Sequence, residues 1–306
     1  MDGIINVYKE AGFTSHDVVA KLRGICRQKK IGHTGTLDPQ ATGVLPVCLG
    51  SATRACEMLT DRTKEYVAEL LLGKITDTQD TTGTVLEERE VAVDEAQVRE
   101  VIGSFVGGYD QIPPMYSALK VNGKKLYELA RAGKEVERQA RHVDLPAIEI
   151  LEIRLPVVKF RVECSKGTYI RSLCADIGGK LGCGGTMQSL VRTRVGEFRL
   201  TDALTLTQLQ ELRDTGRLEE ALLPTDRIFA DFNAVHVEEK WRKLIDNGNA
   251  FYPGQTMEQT TYPVGEWVRV YREDDSFVGI YAYDGAKEWY KPVKIFPSNT
   301  CLLYTS

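Results

Sequence analysis

The run GHTGTLDPQATGVLPVCLG, residues 32–50, constrains this chain more than any other stretch. It sets a single carboxylate, Asp38, among glycines and turn-forming residues, with Pro39 fixing the backbone directly after it. The residues that follow, Val44 to Leu49, are apolar and read as a buried strand. Asp38 is therefore expected on a rigid loop feeding the core. A carboxylate held in that way can serve as a nucleophile or a positioned base. An Asp-Pro pair can also be a plain turn in which the Asp side chain bonds its own backbone. Two other catalytic loops are excluded by spacing. The phosphoaspartate loop of phosphatases and P-type ATPases needs its Asp two residues before the first Thr of His33-Thr34-Gly35-Thr36-Leu37, where Gly32 stands instead. A P-loop would need Gly-Lys-Ser/Thr after a glycine-rich run.

At 306 residues with 42% hydrophobic side chains, the chain can build a substantial core as one large or two unequal domains. The opening MDGIINVYKE is neither a signal peptide nor a membrane anchor, and no apolar run reaches membrane-spanning length. The seven cysteines are scattered and form no Cys-x-x-Cys pair, so neither a zinc site nor a disulfide framework is expected. A reducing cytoplasm fits that usage. The net charge of −4 hides an uneven distribution. Residues 21–30, KLRGICRQKK, carry five basic residues and no acid. Residues 120–141 carry Lys120, Lys124, Lys125, Arg131, Lys134, Arg138 and Arg141 against three glutamates. Such patches are either solvated helix faces or phosphate-binding surfaces.

Patterning along the chain predicts strands at 4–8, 66–72, 148–153 and 157–164, and helices at 15–28 with Ser15 as N-cap, 53–59, 93–105 and 170–181. The loop GKITDTQDTTG carries Asp77 and Asp80, but its spacing does not match an EF-hand. Strands and helices mixed without strict alternation indicate an α+β fold. The pattern changes near PTDRIFADFN, residues 224–233. A helix over 238–247 and strands at 267–271, 277–283 and 289–295 then read as a small β-rich appendage. The closing CLLYTS, residues 301–306, is expected to be a non-native tail.

Three further segments bear on function. Tyr66 opens a strand, where an aromatic ring can pack or stack on a base. In SKGTYIRSL, Tyr169 and Arg171 fall at a helix start, and Arg171 is placed to pair with Asp38, lowering its pKa and keeping it ionised. Residues 107–133 form a Pro- and Gly-rich loop followed by a basic helix, either a surface excursion or a clamp on RNA phosphates.

The segments GHTGTLDPQATGVLPVCLG, KEYVAEL, TDTQDTTG, QIPPMYSALKVNGKKLYELAR, CSKGTYIRSLCADIG and LGCGGTMQSLVRTRVGEF occur in the order found in bacterial tRNA pseudouridine-55 synthases of the TruB family, which this chain resembles over residues 1 to about 200. The resemblance implies a pseudouridine synthase fold: a mixed, largely antiparallel sheet flanked by helices over residues 1–228, an RNA-clamping insertion at about 107–142, and a small PUA-like RNA-binding domain at 233–300. It implies that a T-loop uridine of tRNA is flipped out and isomerised to pseudouridine, with no metal and no cofactor. Asp38 would be the nucleophile, Tyr66 would stack on the uracil, Tyr169 would contact the nucleotide, and Arg171 would pair with Asp38. Leu190 would wall the pocket and His33 would support the flipped RNA. Lys64, Lys120, Lys124, Lys125, Arg131, Arg141 and Lys166 are candidates for RNA-backbone contacts. Gly184-Gly185-Thr186-Met187 departs from the Gly-Ala-His-Leu of the family. The partner expected is tRNA, with the protein acting as a cytoplasmic monomer. The alternative is a tRNA-binding or tRNA-folding protein whose catalysis is secondary.

Overall fold

The segment KEYVAELLL alternates buried and half-buried positions along its length, the period of a strand packed on one face. It forms the middle of an eight-stranded sheet. A computed structural model describes residues 1–121 and 123–297, so the expected tail at 301–306 lies outside the described residues. The sheet is built from β1 (Gly3–Lys9), β2 (Ile31–His33), β3 (Thr42–Leu49), β4 (Lys64–Leu72), β5 (Ala147–Arg154), β6 (Val157–Cys164), β7 (Gly185–Val195) and β8 (Phe198–Arg199). Its order is β1-β3-β7-β4-β6-β5, with β2 beside β3 and β8 beside β7. Every pairing is antiparallel except β3 with β7.

Helices α1 (Ser15–Cys26), α2 (Glu95–Gly103), α3 (Ile170–Lys180) and α4 (Leu206–Asp214) flank the sheet. Val18, Leu22 and Ile25 of α1 and Leu209 of α4 pack on Ile5, Val7, Leu45 and Val47. Ile102 of α2 and Leu173 and Ile177 of α3 pack on Leu70, Val158 and Phe160. The N-cap of α1 is Thr14 rather than the expected Ser15: Thr14 and Asp17 close a capping box, which frees the buried Ser15 hydroxyl to accept a hydrogen bond from the Leu37 N–H.

The 107–142 segment is a small unit of its own. Tyr109–Gln111 pairs with Arg141–Val143, and a hairpin at Lys120–Val121 and Lys124–Lys125 leads into a helix over Leu126–Arg131. Toward the C-terminus a second sheet joins β9 (Asn233–Val237), β10 (Trp267–Arg272), β11 (Phe277–Asp284) and β12 (Trp289–Ile295). The first of these strands was not foreseen, and the helix expected over 238–247 is a 3-10 turn at Glu239–Trp241 followed by a short helix at Arg242–Asp246. The segment at 224–233 packs against both sheets: Ile228 and Phe229 are buried with Ile4, Val44 and Cys48 on one side and Ile280 and Phe296 on the other.

Candidate active site

The loop from Thr34 to Ala41 is held from four directions. Thr34 bonds Pro46 O through both its N–H and its hydroxyl. Ser15 Oγ receives the Leu37 N–H at 3.0 Å. The fully buried Lys9 ammonium donates to the carbonyls of Glu10, Pro39 and Ala41 at 3.0, 2.9 and 2.6 Å. Arg192 Nη2 donates to Gly35 O at 3.3 Å. Gly43 makes this assembly possible. Its φ is +105°, and a Cβ there would lie 2.2 Å from Arg192 O, so only glycine lets β3 and β7 approach at this register.

Asp38 points from the loop into a cavity of about 510 Å3. Arg171, in the first turn of α3, meets it with both arms: Nε to Oδ2 at 2.9 Å and Nη2 to Oδ1 at 3.2 Å. The Arg171 side chain is 6% exposed, that of Asp38 37%. Arg171 also donates to Thr78 O at 3.0 Å and Tyr116 O at 2.8 Å, and its Nε lies 3.9 Å from Asp80 Oδ2. Asp80 is held in turn by Thr78 and Thr82. The guanidinium is therefore clamped between the TDTQD loop, the 107–142 segment and the Asp38 loop.

The electrostatic expectation for Asp38 is corrected. Burial raises its pKa above the ordinary carboxylate value, Arg171 pulls it down, and Asp80 pushes it up again, with a net rise. Arg171 thus limits an upward shift instead of producing a downward one. Burial likewise raises the pKa of Tyr66 and Tyr169.

Asp38, Tyr66, Tyr169, Arg171 and Leu190 all line this one cavity, together with Lys64 and Lys125. His33 does not. It lies at the end of β2 and lines a neighbouring basic cleft with Arg23, Lys29 and Lys30. His16, on α1, lines both spaces and meets His33 edge-to-face at 5.2 Å. Of the backbone candidates, Lys120, Lys124, Arg131, Arg141 and Lys166 are exposed, and Lys166 pairs with Asp61 at 2.9 Å. Lys64 is instead buried, its ammonium donating to Thr60 O and Arg62 O at 2.6 and 2.7 Å. Among the described residues, no group of three or more His, Cys, Asp or Glu is arranged to hold a metal ion, and no helix is long and apolar enough to cross a membrane.

Sequence reasoning did not single out Lys9, His16, Gln111 or Arg192, and it weighed Asp80 only as a calcium ligand. One signal for Arg192 was present: it stands two residues after the apolar Leu190, the spacing that puts both on one face of a strand. Gln111 left no such trace.

The profile of the TruB family pseudouridylate synthase N-terminal domain matches residues 23–170, and that of the tRNA pseudouridylate synthase B C-terminal domain matches residues 171–230. A tRNA pseudouridine synthase B from Lachnoclostridium phytofermentans is 53% identical over 306 residues, covering 97% of this chain and 100% of that protein. One from Clostridium acetobutylicum is 46% identical over 280 residues, covering 92% and 95%. Among solved structures, an H/ACA RNP bound to a substrate RNA containing 2′-deoxyuridine superposes with a TM-score of 0.73 at 27% identity, covering 96% of this chain and 84% of that one. Sequence, domain content and fold agree: the chain belongs to the TruB family of pseudouridine synthases, enzymes of the isomerase class.

Proposed function

We propose that this protein converts the T-loop uridine at position 55 of tRNA to pseudouridine, with Asp38 as the nucleophile. The observation that carries the reading is a single carboxylate gripped by a bidentate arginine inside a cavity walled by two tyrosines and a leucine. A uridine inside the T-loop cannot reach that carboxylate while stacked. Flipping it out costs a few kcal/mol, roughly the worth of one or two aromatic stacking contacts. In this reading Tyr66 stacks on the uracil, Leu190 closes its edge and Tyr169 contacts the ribose side. The exposed cations of the 107–142 segment grip the backbone beside the cavity mouth, where Lys125 and Tyr127 already stand. The bond between N1 and the ribose carbon breaks, the base turns, and C5 bonds to that carbon. C5 loses its proton and N1 gains one, so the step is an isomerisation needing no redox partner. His33 supports the displaced RNA from the neighbouring cleft. The protein acts alone, as a monomer.

The test is tritium release from C5-labelled uridine in an unmodified tRNA transcript, with chemical mapping of the product. Wild type should release tritium and modify position 55, and Asp38→Asn should do neither while still binding tRNA. Tight tRNA binding with no release by folded wild type would overturn the proposal in favour of a binding or folding role.

A further inference from the structure

The cavity is lined by four cations, Lys64, Lys125, Arg171 and Arg192, against one carboxylate, Asp38. Lys9 and Asp80 stand directly behind the loop and Arg171. Among the described residues, Arg171 is the one of these cations that pairs with carboxylates. Arg192 is 1% exposed, and among the described residues no Asp or Glu forms an ion pair with it. Its bonds go to neutral carbonyls: Nε to Val44 O at 2.7 Å and Nη2 to Gly35 O at 3.3 Å. A guanidinium withdrawn from water without a counter-charge is costly, and removing either carbonyl would make it worse. A fold that holds such a group in place, in the lining of its cavity, presents an unbalanced positive charge to whatever enters.

The position says which part of a nucleotide would meet that charge. Arg192 on β7 is directly opposite Tyr66 on β4 in the sheet register, so their side chains leave the same face, and the guanidinium interacts with the Tyr66 hydroxyl. A bulge immediately follows, between Arg192 and Arg194, where strands re-aim side chains near functional sites. A base stacked on the Tyr66 ring would have its polar edge beside the guanidinium. Phosphates, which stay solvated, are better matched to the exposed Lys120, Lys124 and Arg131.

We propose that Arg192 balances the negative charge that the uracil ring acquires during the reaction. This rests on the proposed function. When the N1–ribose bond breaks, its electron pair stays on the ring and spreads to the carbonyl oxygens; if Asp38 instead adds to the ring first, the same oxygens become an enolate. Either route makes the detached or adducted base an anion; formation of the bond between C5 and the ribose carbon discharges it, and C5 then loses its proton while N1 gains one. A fixed cation aimed at charge present only at that stage accelerates the step without tightening ground-state binding.

The experiment compares wild type, Arg192→Gln and Arg192→Lys in full-length protein, by single-turnover rate and tRNA Kd. The substrates are one transcript with uridine and one with 5-fluorouridine at position 55. The uridine reaction is followed by tritium release, the fluorinated one by loss of intact 5-fluorouridine from a nuclease digest. Arg192→Gln should slow the uridine reaction on the order of 100-fold, the scale of removing one charge-stabilising donor. Kd should stay within about threefold, as expected for an interaction absent from the ground state. Fluorine stabilises the anion, so the penalty should shrink at least about tenfold on the fluorinated substrate. Equal losses on both substrates, or a loss confined to Kd, would overturn the role and leave Arg192 as a strut or a phosphate contact. Should Arg192→Gln not fold, Arg192→Lys decides. A lysine among Lys9, Lys64 and Arg171, with Asp38, Asp80 and Tyr66 facing it, would lose its proton as pH rises, so its rate should fall across pH 7–10 relative to wild type. Parallel profiles would overturn the proposal. An inactive wild type would overturn the proposed function and this role together; an active wild type separates the two.

Discussion

Replacing Gln111 by alanine should damage the reaction more than the fold. The buried Gln111 carboxamide makes a reciprocal pair with the backbone of Tyr169: its oxygen accepts the Tyr169 N–H at 2.8 Å and its nitrogen donates to Tyr169 O at 3.0 Å. The same nitrogen lies 2.5 Å from the Tyr109 hydroxyl, which donates to Asp176 at 2.9 Å. Tyr169 is the N-cap of α3 and has no side-chain cap of its own, so Gln111 supplies from another segment what a capping residue normally supplies locally. Two residues on is Arg171. Removing the amide leaves the Tyr169 N–H unsatisfied, at about 1–3 kcal/mol, and forfeits two further hydrogen bonds at about 1 kcal/mol each. The sum is at least roughly 3 kcal/mol, concentrated where Tyr169 and Arg171 enter the cavity. If the loss appears as misplacement of those two side chains, kcat falls about 100-fold, since each 1.4 kcal/mol is tenfold. If it is shared with global unfolding, Tm drops by no more than about 10 °C. The assay pairs kcat and KM for tritium release with hydrogen exchange at the Tyr169 amide. Faster exchange with kcat down and KM nearly unchanged is expected. A lower Tm with kcat intact would refute the reasoning, because the pair would then be ordinary packing. Gln111→Glu keeps the acceptor and loses the donor, so it should fall between wild type and alanine.

Asp38→Asn should abolish tritium release without lowering the melting temperature at pH 8. A carboxyl whose folded pKa is raised contributes stability at low pH that is lost as pH rises through the folded value, so a neutral side chain is not penalised above it. The acid limb of the rate profile should lie above the ordinary aspartate value of 3.8, and Arg171→Gln should move it to still higher pH by removing the group that pulls Asp38 down; a limb shifted the other way would contradict this. Lys64, its pKa lowered to about 8 by burial, should lose its charge in the alkaline range, so tRNA binding should weaken as pH rises through 8, and Lys64→Arg should flatten that decline. Gly43→Ala forces a Cβ within 2.2 Å of Arg192 O at a φ of +105°, and denaturant unfolding should show a loss of about 3 kcal/mol or more.

The parts of the site written locally were legible in the sequence. Asp38-Pro39 between glycines and a buried strand announces a fixed carboxylate, and Arg171 at a strand-to-helix turn announces its partner. Strands with clean alternation, such as Lys64–Leu72 and Val157–Cys164, were found to within two residues. The strand Gly185–Val195 was not read as one, because bulges at Gln188 and Thr193 break its period and it opens on glycine and polar residues. Asn233–Val237 escaped because its register comes from a parallel neighbour thirty-odd residues away, which no local pattern encodes. Lys9, Gln111 and Arg192 acquire their roles only when distant segments meet. A lysine capped by three carbonyls or a glutamine capping someone else's helix looks, in sequence, like any surface residue. The Asp38 pKa reversed direction for the same reason: the partner was visible, whereas the depth of burial and the second carboxylate, Asp80, were not.

The aromatic seam around Phe229 determines how this molecule comes apart. Phe229 lies 6.1 Å from Phe277 and 5.9 Å from Phe296, centroid to centroid, and Phe277 stacks on Phe296 at 5.5 Å. Those rings share one cluster with Ile4, Val44 and Cys48 of the large sheet. Neither sheet can shed its partner without exposing that oily interior to water. Heating should therefore give one calorimetric transition whose van't Hoff and measured enthalpies coincide. The terminal sheet is thus welded to the scaffold, and whatever it grips is held at a fixed span from Asp38.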